Sequence, residues 1–145
     1  MGNIGEKILG RERIMSEATK SPPKTGSFCW NELMTSDKNG CEKFYTQLFG
    51  WTSEESPMGE GMYTMFMSGG THVGEMLEMK GPQFEGVPNH WLSYVAVDDV
   101  DASAKKAESL GAKTYCPPTD IPNIGRFAVI MDPAGASIAL FKATS

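Results

Sequence analysis

Residues 36–51 read SDKNGCEKFYTQLFGW and residues 97–112 read VDDVDASAKKAESLGA, and this pair decides the fold. In the first, Cys41, Phe44, Tyr45 and Leu48 recur at helical spacing, and Gly50 stops a helix over residues 41–49. The run TSDKNG ahead of it (residues 35–40) reads as a turn. In the second, Val100, Ala104 and Ala107 recur at i, i+4 and i+7. Asp99 suits the N-cap of that helix and Gly111 its C-terminal stop. Asp37 and Asp99 are 62 residues apart, and so are Leu48 and Leu110.

The repeat extends outward from the helices. Each is preceded by a strand: GSFCWNELMTSD (26–37) contains one over 28–34, and HWLSYVAV (90–97) is the other. In the first strand Phe28, Trp30, Glu32 and Met34 share a face, with Cys29, Asn31 and Leu33 on the opposite one. A Trp and a Glu beside Phe and Met make neither plain core nor plain surface. Downstream, YTMFMSGGTHVGEML (63–77) parallels FAVIMDPAGASIALF (127–141) at an offset of 64. Each is two strands around a tight turn. WTSEES (51–56) and AKTYCPP (112–118) supply one further strand apiece. The sequence therefore predicts an α+β chain of two tandem βαβββ modules, at about residues 26–81 and 88–143, within one domain over 26–145. A duplicated unit of this size does not bury its own sheet, so the two sheets are expected to complete one another around a ligand groove.

Composition narrows the partners. The net charge is −5 and no Lys/Arg cluster appears, which argues against nucleic acid. No apolar run approaches the roughly 20 residues of a membrane span. The N-terminus has no secretory apolar stretch, and Glu6 breaks the myristoylation motif that Gly2 suggests. Three cysteines, Cys29, Cys41 and Cys116, form no close pair and read as reduced thiols of a cytoplasmic protein. Residues 1–25 read as a flexible tail, with a short helix over 6–15 and Pro22-Pro23 barring any helix into the domain.

The two helix phrases, the closing DPAGASIALF and the βαβββ duplication together resemble the vicinal oxygen chelate superfamily. That superfamily includes glyoxalase I, bleomycin- and fosfomycin-resistance proteins and extradiol dioxygenases. The resemblance covers residues 28–142. NELMTSD…FYTQLFGW and DIPNIGRFAVIMDPAGASIALF are similar to single-domain bacterial members carrying a hydroxylase label. It implies two modules forming a cupped, half-open β-barrel, and a homodimer. It does not imply one chemistry, because one scaffold hosts several.

The metal enzymes of that superfamily take ligands from the first, fourth, fifth and eighth strands. Carried over from Asp37, Asp99 and Asp132, those positions hold Trp30, Leu92 and Ala139, with Glu75 as the fourth. An indole nitrogen only donates, and Leu and Ala have no lone pair. One carboxylate does not hold a divalent ion, so no metal and no cofactor are expected. The remaining route to a metal is a site shifted to His90, Glu75 and Glu32. Trp30 would stack on a flat ligand or fill the vacated position as core. Glu75, if buried alone, suits a general base, and otherwise sits at the wet mouth of the cup. Glu32, Met34, His90, Leu92, Tyr94, Phe127, Ala139 and Phe141 complete the candidate lining. Glu32 and His90 have structural readings too, as hydrogen-bonded groups. Arg126 reads as a loop pin in preference to an anchor for an anionic ligand. Met65, Met67 and their neighbours suit a deformable apolar wall or ordinary core. Three functions follow: metal-independent binding of a small organic molecule, a glyoxalase-like lyase, isomerase or hydroxylase, or a protein-interaction module.

Overall fold

The computed structural model describes residues 22–58 and 61–144. The expected helix over residues 6–15, and most of the expected tail, lie outside them. The elements are β1 (Phe28–Thr35), α1 (Lys38–Phe49), β2 (Thr52–Met58), β3 (Gly61–Ser68) and β4 (Thr71–Glu78). A 3₁₀ turn (Pro82–Phe84) leads to β5 (His90–Ala96), α2 (Val100–Ser109), β6 (Lys113–Ile121), β7 (Gly125–Met131) and β8 (Ser137–Ala143). The fold is mixed α+β, and each half is strand, helix and three strands, as the repeat predicts.

The described chain divides into two compact units, Asn31–Trp91 and residues 22–30 with 92–144. The first runs β2-β3-β4-β1 and the second β5-β8-β7-β6. In each, three strands form an antiparallel meander, and the strand before the helix pairs in parallel with the last. The registers repeat as the sequence does. Glu32 is the Cα partner of Glu75, and Tyr94 is the partner of Ala139. Those are the same two positions shifted by 62 and 64 residues.

Each sheet packs one face on its helix. In the first unit Leu33, Phe66 and Met76 form the core, joined by Cys41, Tyr45, Trp51 and Val73. In the second Val100, Ala104, Ala128, Ile130 and Leu140 do so, with Val97, Ala107, Ala112 and Ile138 against them. The turn Gly69-Gly70 joins β3 to β4 with φ of 56° and 82°. That left-handed pair matches the twist of a two-residue hairpin and accounts for glycine at both positions.

Two details depart from expectation. Helix α1 starts three residues early, at Lys38. The Asp37 carboxylate accepts from the Gly40 amide at 3.0 Å, so the cap recruits residues that read as a turn into the first helical turn. Phe44 and Leu48 do not face the core; both are more than half exposed, as is Phe49. Helical spacing marked a stripe, but the sheet takes only Cys41 and Tyr45 from it.

Helix α2 matches the sequence: Asp99 caps it through Ala102 at 3.0 Å. Asp99→Ala is expected to cost about 1 kcal/mol. Gly125, at the start of β7, is buried, and a Cβ there would overlap the Lys142 carbonyl oxygen and sit 2.9 Å from the Phe141 ring. Because a backbone atom cannot yield cheaply, Gly125→Ala is expected to destabilise by about 2–3 kcal/mol. Urea unfolding of both variants checks the order, and a Gly125→Ala midpoint equal to wild type contradicts it.

Candidate functional site

The helix-free face of each sheet is the natural place for a site, because alternation puts a second set of side chains there. In the first unit that set is Glu32, Met34, Met65 and Glu75, all buried. Glu32 and Glu75 are 4% and 2% exposed and face each other across the β1–β4 pair. Met65 is the β3 partner of Glu75. Two carboxylates are thus buried side by side on a Met-lined surface. Glu75 is buried, and the β1–β4 register gives it Glu32 as a neighbour.

In the second unit the corresponding set is Leu92, Tyr94, Ala96, Val129, Ala139 and Phe141, again buried, with Phe127 half-buried. Tyr94 and Phe141 meet edge to face at 6.3 Å. The opening residues of β1 belong to this unit. Gly26 donates to the Ala96 carbonyl at 2.8 Å, and the Ala96 amide donates to Ser27 at 2.9 Å. Trp30 lies just beyond, 5% exposed, and its indole N–H has no acceptor among the described residues. A buried donor left in that state costs about 1–3 kcal/mol. The Thr64 hydroxyl of the first unit is likewise buried with no partner.

His90 does not join a carboxylate cluster. Its Nδ1 lies 2.8 Å from the Pro88 carbonyl, the structural histidine the sequence allowed. Among the described residues no three His, Cys, Asp or Glu side chains converge as metal ligands. The shifted site of His90, Glu75 and Glu32 therefore has no geometric support.

Sequence reasoning missed a cleft of about 670 Å³ in the second unit, walled by Asp98, Asp101, Asp120, Asn123 and Lys142 around Arg126. Its charges satisfy one another. Arg126 grips Asp101 through Nε and Nη2, at 2.7 and 2.9 Å, and Asp120 through Nη1 at 2.9 Å. Arg126 thus pins β6 and the first turn of α2, and its hydrogen bonds hold the Asp101 carboxyl below the usual carboxylate range. Lys142 donates to the Asp98 carbonyl at 2.8 Å. The wall residues are too scattered in sequence to have flagged the cleft. Elsewhere, burial pushes the Cys29 thiol up, so this cysteine is a poor nucleophile.

This chain belongs to the Glyoxalase/Bleomycin resistance protein/Dioxygenase superfamily, whose family model matches residues 30–140. Its relatives include CFP32 of Mycobacterium tuberculosis, provisionally named a glyoxylase. The two are 41% identical over 120 residues, which is 82% of this chain and 45% of that protein. The anthracycline biosynthesis protein DnrV of Streptomyces peucetius is 36% identical over 129 residues, 81% of this chain and 47% of the relative. The chain spans about half the length of these curated relatives. The Mn(II)-bound glyoxalase of Novosphingobium aromaticivorans shares the fold, with a TM-score of 0.54 and 18% identity over 81% of this chain and 38% of that one.

A metal such as that glyoxalase carries does not fit the residues here. Of the four ligand positions the resemblance designates, only Glu75 offers an oxygen. Trp30, Leu92 and Ala139 are all buried and have no lone pair to give.

The carboxylate pair invites a direct measurement. Burying one carboxyl group beside another is costly, and Glu75→Gln removes one while keeping its shape. The variant is expected to be more stable at neutral pH, by about 1–2 kcal/mol, in scanning calorimetry. A lower melting temperature would instead make the pair a structural hydrogen-bonding unit.

Proposed function

We propose that this chain binds a small organic molecule without the help of a metal. The observation that carries this reading is the buried set Trp30, Leu92 and Ala139, at positions that the resemblance designates for metal ligands. The lining we assign is the helix-free face of the second unit: Trp30, Leu92, Tyr94, Phe127, Ala139 and Phe141. It is apolar and aromatic, the composition of a small-molecule surface. Relatives named for anthracycline biosynthesis and as a glyoxylase both point toward small organic compounds.

The buried pair Glu32 and Glu75 favours a second reading, a lyase or isomerase that moves a proton through a carboxylate. In that reading Glu75 is the base and Glu32 orients it or returns the proton. Loss of turnover in Glu75→Gln, with ligand affinity kept, would mark this enzyme. Equal behaviour of the two proteins would leave binding alone.

The metal-free reading is tested on protein purified without a chelating tag. After incubation with Mn(II), Zn(II) or Ni(II) and desalting, elemental analysis is expected to find substoichiometric metal. EDTA is expected to leave the melting temperature unchanged, because a metal bound only by the folded state would raise it. One equivalent of any of these ions per chain, removed by EDTA with a drop in melting temperature, overturns the reading.

A further inference from the structure

The indole N–H of Trp30 is a donor placed where water does not reach and where no described residue accepts from it. Buried donors are almost always satisfied, so an exception points to an acceptor other than the described residues. We propose that Trp30 donates a hydrogen bond to the bound molecule, and that the ligand is therefore a neutral carbonyl compound, a ketone, quinone or lactone on an apolar skeleton. The inference deepens the binding reading above and rests on it.

Three features set the ligand class. Indole nitrogen carries a hydrogen and no available lone pair, so its partner must be an acceptor. An ammonium group, which only donates, is thereby the wrong complement. A carboxylate or phosphate is also disfavoured, because a buried anion needs a buried cation. Among the described residues of the second unit Lys24, Lys105, Lys106, Lys113 and Lys142 are exposed, and Arg126 is held by Asp101 and Asp120. The nearby polar group of β1, the Cys29 thiol, already reaches the Tyr94 carbonyl at 3.5 Å. What the second unit otherwise buries on its helix-free face is Leu92, Ala96, Val129, Ala139 and the Tyr94–Phe141 ring pair, which suits the hydrocarbon body of such a molecule.

The test compares 9-fluorenone with fluorene, which share one ring skeleton and differ by the carbonyl. Titration calorimetry on the full chain is expected to show fluorenone binding about fivefold to tenfold tighter, the worth of one buried hydrogen bond. In Trp30→Phe, which keeps an aromatic ring and removes the N–H, that ratio is expected to fall to near unity while both compounds still bind. Proton–nitrogen NMR supplies a readout that needs no variant. The indole resonance of Trp30, recognised by slow exchange with solvent, should move downfield with fluorenone and stay in place with fluorene. Equal affinity of the wild-type chain for both compounds, or an unmoved Trp30 resonance under saturating fluorenone, overturns the donor role and leaves small-molecule binding standing. Failure to bind either compound overturns both.

Discussion

One helix covers only one face of a four-stranded sheet, and everything particular about this chain follows from what is done with the other face. The helix-side faces are ordinary. Leu33, Phe66 and Met76 in one unit, and Val100, Ala128 and Leu140 in the other, are apolar residues under a helix. The opposite faces are just as buried but chemically mixed, with Glu32 and Glu75 in the first and Trp30 and Tyr94 in the second. A protein selected only to fold would put aliphatic side chains at all of these places, because burying a polar group costs free energy that burying an aliphatic one does not. Their presence on the same face of each repeat is the physical reason to look for function there.

The parallel closure of each sheet explains why the repeat was legible. A strand that leaves for a helix and is rejoined by a strand four elements later must meet it in one register, or every side chain changes face. The pairs Glu32 with Glu75 and Tyr94 with Ala139 keep that register in both halves. The offsets of 62 and 64 residues were visible because insertions in the intervening turns are few. The start of α1 was less legible, since Lys38-Asn39-Gly40 reads as a turn by composition. A single carboxylate hydrogen bond from Asp37 outweighs those weak local preferences.

The site was legible as residue types and not as neighbours. Alternation along β1 put Trp30 and Glu32 on one face, and the count from Asp37 singled out Trp30. What could not be read was that Glu75 would stand beside another acid, because pairing between β1 and β4 joins residues 43 apart in the chain. Nor could the unsatisfied indole be read, since whether an N–H finds an acceptor depends on side-chain direction in three dimensions. Membership of the superfamily does not supply these facts either. The fold is shared with enzymes of differing chemistry.

The three tryptophans divide between the units in a way that has an optical consequence. Trp51 and Trp91 sit in one ring cluster of the first unit, with Tyr45 centroids 5.9 and 5.3 Å away and the Trp91 indole bonded to the Tyr45 hydroxyl at 3.0 Å. Trp30 belongs to the second unit, is buried, and takes no part in that ring cluster. Near-ultraviolet circular dichroism, which arises from closely packed rings, will therefore be dominated by the docking of α1. The blue edge of the intrinsic emission will come from Trp30. The molecule carries separate spectroscopic labels for its two halves, and loosening of one can be told from loosening of the other without adding a dye.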